Sequence, residues 1–186
     1  MVVTTERQRE MLTVTRASLL SLRAALLRGG DANAAVTLQE AGYAGGTALF
    51  ESFRDWLAER SDIAIEDLDV EAFQHRASEY FSETGWGTLH VGSLEDVVAT
   101  LDSPDWGECD TTLGTQQPSC HLTTGMFADL FGRLAGSPVA VLEVECRSAG
   151  HERCRFLVGS PDVMDAVYEE MGRGTEYEAA VHAQAR

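Results

Sequence analysis

The residues with the most chemistry to offer lie between Cys120 and Cys154. Glu143, Cys146 and Cys154 form an E-x2-C-x7-C spacing, and Cys120 precedes it. Three thiolates and a carboxylate suit a four-coordinate zinc ion, which takes soft sulfur and tolerates oxygen. With four ionised donors the formal balance is 2 − 4 = −2, so nearby cations or N–H groups have to offset it. Arg147, Arg153 and Arg155 are close in sequence. Two alternatives stay open. Free cysteines also serve as small buried apolar residues, and C-x7-C is not a C-x2-C knuckle. Glu143 and Cys146 also have opposite parity, which on a straight strand points them to opposite faces. Either the strand ends or bulges before Cys146, or Glu145 or another group is the fourth donor.

Other reactive side chains are weaker candidates. His121 follows Cys120 and reads as a surface or supporting residue that could replace a ligand. Cys109 sits in a polar loop and reads as a free thiol, with an alternative redox or metal role. Ser148, His151 and Glu152 have the residue types of a hydrolase triad, but they crowd one turn and lack a nucleophile elbow. His151 reads as solvated. The acidic run Glu66, Asp67, Asp69 and Glu71 reads as a solvated face. No catalytic residue is assigned.

The elements that must position the cluster follow from periodicity. Met11, Val14, Leu19, Leu22 and Leu26 give helix spacing over Glu6–Arg28, which Gly29-Gly30 stops. A second helix is expected over Ala32–Ala41 with Asp31 as its cap. A third carries Leu49, Phe53, Trp56 and Leu57. Gly42, Gly45 and Gly46 between them signal a close helix contact, a bend or a turn. A fourth helix is expected over Val70–Glu83, capped by Asp69. After Gly87 the period changes. Thr88–Val91 and Val97–Leu101 read as short strands, and residues 102–117 as a polar loop. Pro118 opens a fifth helix with an apolar face, which Gly136 ends. Val139–Val144 and Arg153–Val158 read as paired strands. Ser160-Pro161 starts a last helix, and residues 173–186 read as a tail that is at most a frayed helix.

The fold class is therefore α+β: N-terminal helices, then a mostly antiparallel four-stranded sheet flanked by helices. At 186 residues this is one domain, expected over 1–172. Its helical half covers residues 1–84 and its sheet and metal half residues 85–172, with the tail over 173–186. The 14 basic and 30 acidic residues leave a charge of −16, which argues against direct nucleic-acid binding. No apolar run is long enough to span a membrane. The polar N-terminus shows no export signal, so a cytoplasmic location is expected.

The stretch PSCHLTTGMFADLFGRLAGSPVAVLEVECRSAGHERCRF resembles the core of the 4-vinyl-reductase domain family. It looks most like the sensor domain of phenol- and toluene-responsive activators of the XylR, DmpR and MopR type. The P-x-C helix start, the glycines along that helix and E-V-E-C-R-S-x-G-H-x-x-C-R carry the resemblance. The preceding LLSLRAALLRGGDANAAVTLQEAGYAGG is similar more loosely. The resemblance implies a structural Zn2+ held by Cys120, Glu143, Cys146 and Cys154, and so selects Glu143 over Glu145. It also implies the fold of TRAPP-type trafficking subunits, a homodimer, and a small hydrophobic or aromatic ligand beside the sheet. Trp106 stands as the counterpart of a ligand-holding tryptophan, and His75 lies where a ligand-holding histidine would be expected. The ATPase and DNA-binding domains of those activators are not found here; no G-x4-G-K-[ST] loop is present.

A pocket should be apolar with few polar groups. Its candidate lining is Phe50, Phe73, His75, Tyr80, Trp86, Trp106, Met126, Phe127 and Phe131, though most of the apolar ones read first as core. The expected function is a zinc-stabilised, non-catalytic sensor or carrier for a hydrophobic or aromatic molecule, informing a downstream regulatory partner. The alternatives are an accessory protein or reductase in tetrapyrrole metabolism of the bacteriochlorophyll type, or a structural adaptor.

Overall fold

The computed structural model describes residues 11–29 and 33–185, and for Glu66 the backbone alone. Among them the order is α1 (Arg16–Arg28), α2 (Ala34–Ala58), α3 (Val70–Glu83), β1 (His90–Leu94), β2 (Val98–Ser103), α4 (His121–Ala135), β3 (Ala140–Glu145), β4 (Cys154–Gly159), α5 (Pro161–Gly172) and α6 (Tyr177–Gln184). The strands form one sheet in the order β1-β2-β4-β3, with every pairing antiparallel. This is the expected α+β class.

The sheet has two covered faces because its strands alternate apolar side chains on both sides. Leu101, Phe156 and Val158 join the core formed with α2, α3 and α4. Val98, Val144 and Leu157 pack with Met164 and Val167 of α5 and Ala180 and Val181 of α6. The segment expected as a frayed tail is thus an ordered helix that completes the second core. Its Ala- and Glu-rich composition hides two fully buried small residues, Ala180 and Val181.

The capping expectations for α3 and α5 hold. Asp69 accepts from the Ala72 N–H, and Ser160 from the Val163 N–H with Pro161 behind it. Among the described residues α1 starts at Arg16, not within 11–15 as expected, with Thr15 as its cap accepting from Ser18 N; the expected start at Glu6 lies outside them. The expected cap Asp31 lies outside the described residues. β1 starts two residues late because the Thr88 N–H donates to Asp105 Oδ1 at 2.8 Å instead of entering a ladder.

The main correction concerns α2. The second and third expected helices are one helix of 25 residues, and its glycines do not end it. They let α4 approach at backbone distance. A Cβ on Gly42 would lie 1.9 Å from the Leu122 carbonyl oxygen, and one on Gly125 of α4 would lie 1.9 Å from the Gln39 carbonyl oxygen. Gly46 leaves room for the Asp129 side chain. Of the readings open at these glycines, close helix contact is the one observed.

Candidate metal centre and apolar groove

Cys120 stands at the N-cap of α4, Cys146 just past β3, and Cys154 at the start of β4. β3 carries a register shift between Glu143, opposite Phe156, and Glu145, opposite Arg155. This bulge resolves the parity conflict. Glu143 turns toward α4, while Glu145 turns to the other face. There Arg153 grips the Glu145 carboxylate through Nε at 2.9 Å and Nη2 at 3.1 Å, and Tyr177 donates to it. One donor atom each from Cys120, Glu143, Cys146 and Cys154 gathers within 4.8 Å, all four buried.

The environment suits a cation. Glu143 Oε2 accepts from the Cys120 N–H at 2.7 Å, while its buried Oε1 has no hydrogen-bond partner. An unpartnered carboxylate oxygen among three thiols is costly to bury alone and is what a metal ligand looks like without its ion. Burial, then the neighbouring Cys146 charge, pushes the Glu143 carboxyl up to about 9. The thiols of Cys109, Cys120 and Cys154 donate toward Cys146 and hold it well below the usual thiol range. These residues fit a zinc ion as three sulfur donors and one oxygen.

The charge compensation expected from Arg153 and Arg155 is not made by their side chains. Arg155 makes a paired contact with Asp102 at 2.7 and 2.6 Å, and Arg153 holds Glu145, so both face away from the cluster. A buried cation, Arg23 of α1, 1% exposed, sits against Ser119, the residue before Cys120. It donates to the Ser119 carbonyl from Nε at 3.1 Å and Nη2 at 2.7 Å, and its Nε lies 3.4 Å from Glu108 Oε1. The Ser119 hydroxyl is 3.9 Å from Cys146 Sγ. Glu108 caps α4, accepting from the N–H groups of Leu122 at 3.0 Å and Thr123 at 2.7 Å. Two carboxylates, Glu108 and Glu143, thus answer the unpaired N–H groups of one helix start. Sequence reading missed Arg23, Glu108 and Thr123, which share no motif and lie far apart in the chain.

The other sequence candidates separate cleanly. Cys109 is a free thiol, as expected, and a buried one. It is 2% exposed, with its Sγ 3.4 Å from Ser148 Oγ. His121 is half-buried and outside the cluster. His151 is exposed, yet its Nδ1 accepts from the Cys146 N–H at 3.1 Å. Ser148 is buried and accepts from the Asp110 N–H.

Of the pocket candidates, Tyr80, Trp86, Trp106 and Phe127 form an aromatic cluster with Phe81 and Phe156. Trp106 meets Phe81, Trp86 and Phe127 at 5.5, 5.6 and 5.3 Å between ring centroids. The Trp106 indole N–H donates to Thr123 Oγ1 at 2.8 Å, which couples that cluster to the start of α4. Met126 is buried in the same core, and Phe50 packs at its margin. His75 is exposed on α3, with Nδ1 3.4 Å from Glu79 Oε2, and faces a polar hollow. Phe73 and Phe131 alone among the candidates line an open apolar groove of about 620 Å³. Leu68, Val91, Ala99, Leu134 and Val158 complete its walls. Periodicity could not place this groove, because it lies where three elements end: the start of α3, the end of α4 and the β1–β2 face.

Comparison with known proteins agrees with this architecture. Residues 105–160 match the model of the 4-vinyl-reductase domain. An uncharacterized protein of Methanocaldococcus jannaschii is 29% identical over 105 residues, covering 53% of this chain and 56% of that protein. The chain thus spans little more than half the length of that relative. The phenol-responsive sensory domain of the transcription activator PoxR, solved with phenol, superposes with a TM-score of 0.57 at 19% identity, over 80% of this chain and 75% of that one. A vinyl-4-reductase family protein from Methanocaldococcus jannaschii gives 0.50 at 16%, over 82% and 87%. Trafficking protein particle complex subunit 3 from Naegleria fowleri, covalently bound to palmitic acid, gives 0.59 at 12%, over 77% and 91%. Residues 105–160, which hold all four cluster residues, therefore match the 4-vinyl-reductase domain, and the chain around them has the α+β fold shared by these three structures.

Proposed function

We propose that this chain is a zinc-stabilised binding domain for a small hydrophobic molecule, acting as a non-catalytic sensor or carrier in the cytoplasm. The observation that carries the reading is the apolar groove at the far end of the helix that starts in the cysteine–glutamate cluster. α4 has 15 residues, so about 22 Å separates Cys120 from the groove residues Leu134 and Ala135. The metal pins the start of α4 to β3 and β4, and a ligand in the groove bears on its end. Four protein donors fill a tetrahedral site, so the ion's role here is to hold the fold together. The phenol-bound sensory domain with this fold supports the small-molecule reading.

Signal output would pass through a homodimer. Leu22 and Leu26 lie one turn apart on α1 and are 67% and 43% exposed, which leaves an apolar face for a second copy. Calorimetric titration with toluene, phenol, indole and decanol tests the binding reading. At least one should bind the native protein and lose binding in Ala99→Phe, which fills the groove. Binding unaffected by that substitution, or absent for all four probes, would sink it.

A further inference from the structure

Ser119 is buried and touches both the cluster and Arg23. Its Oγ accepts from Arg23 Nη2 at 2.5 Å and lies 3.9 Å from Cys146 Sγ. A guanidinium has N–H donors and no acceptor, so in this contact the hydroxyl can only accept. Its own proton is left for another partner. The acceptors beside it are Thr115 Oγ1 at 3.4 Å and the Cys146 sulfur, which accepts at longer range than oxygen. A threonine hydroxyl has a proton of its own to donate, whereas a metal-bound thiolate can only accept. Arg23 is fixed in turn. Its Nε and Nη2 both donate to the Ser119 carbonyl, and Glu108 Oε1, 3.4 Å from Nε, answers its charge. What Arg23 does for the cluster is therefore to turn the hydroxyl.

We propose that Ser119 is a positioning residue of the metal centre: its hydroxyl, turned by Arg23, donates to the Cys146 sulfur once that sulfur binds an ion. This rests on the metal reading of the cluster and goes beyond it. Three thiolates and a carboxylate around a divalent ion leave 2 − 4 = −2, and a hydrogen bond to a ligand sulfur draws off part of that charge. The Cys120 N–H does the same for the oxygen donor, reaching Glu143 Oε2 at 2.7 Å. Two successive residues at the start of α4 thus each serve one ligand from β3 and its end. Partners of this kind fix the orientation and basicity of a ligand, and losing one costs about 10–100-fold in metal affinity.

Cobalt is the probe, because its sulfur-to-metal charge-transfer band reads the electron density on the ligands. The full chain is loaded with Co2+ in native, Ser119→Ala, Ser119→Thr and Thr115→Ala forms, and zinc affinity is then read by competition with a chromophoric chelator. Ser119→Ala should keep the band intensity, move the band to longer wavelength and weaken zinc binding by about 10–100-fold. Ser119→Thr keeps the hydroxyl and should restore both; Thr115→Ala should leave both as in the native protein. A Ser119→Ala form that matches the native one in band and affinity overturns the proposal while leaving the metal centre standing. So does an equal loss in Ser119→Thr, which would assign the effect to packing, or in Thr115→Ala. A native protein that takes up neither ion overturns the metal reading as well. If Ser119→Ala does not fold, Arg23→Met reads the same contact from the other side: the released hydroxyl should move the band in the same direction, and an unmoved band overturns the proposal.

Discussion

Arg23 and Glu108 are buried to 1% and 0% exposure and sit between α1, the Ser119 turn and the start of α4. Removing one member of a buried ion pair strands the other, at a cost of about 3–5 kcal/mol. Arg23→Met should therefore lower unfolding free energy by about that much in denaturant titration; a loss below about 1 kcal/mol would show the pair to be incidental. Glu143 sets a pH dependence. Burial, with the Cys146 charge, holds its carboxyl at about 9 instead of the ordinary 4.5. A raised acid stabilises the metal-free fold fully below 4.5 and loses that contribution as pH rises through about 9. Thermal melts of chelated protein should fall across that window, and Glu143→Gln should flatten the slope; equal slopes in the two forms would rule the carboxyl out as its source. The three cysteines of the cluster were legible in the sequence as ligand types at a local spacing, while Glu143 was chosen over Glu145 only through the family resemblance, because the bulge in β3 leaves no mark in the spacing. Arg23, Glu108 and the placement of Cys109 were not, because their roles arise only when a loop without period folds under α1.

At the scale of elements, the joint between α2 and α4 is made by absence of side chains. Gly125→Ala would drive a methyl into the Gln39 carbonyl, where neither backbone can yield without moving a helix. It should destabilise by about 3 kcal/mol or more. Gly45, on the same helix as Gly42, has nothing within 4 Å of an added Cβ, so Gly45→Ala should stabilise by about 0.5–1 kcal/mol through helix propensity. Paired thermal melts check both signs, and matched effects would contradict the account. This contrast explains why α2 read as two helices: in sequence a glycine that breaks a helix looks the same as one that admits a neighbour. The caps of α3 and α5 were legible because a cap is a local bond. α6 was not, because Ala180 and Val181 are ordinary helix residues until the second sheet face covers them.

For the whole molecule, the account joins a pinned helix start, a groove at the helix end and an apolar face on α1. If that face is where a second copy sits, Leu22→Glu with Leu26→Glu should leave the fold intact and shift the protein to monomer in light scattering; an unchanged mass would remove α1 from the interface. No helix among the described residues is long and apolar enough to cross a membrane, so these exposed leucines are not part of a span. The central claim is the metal. Native mass spectrometry of freshly purified protein, repeated after acid denaturation, tests it most directly. The account predicts one zinc per chain, lost on denaturation and absent when Cys120 and Cys154 are replaced by serine. A metal-free protein that takes up no added zinc would contradict it and return the four cysteines to the core as small buried side chains.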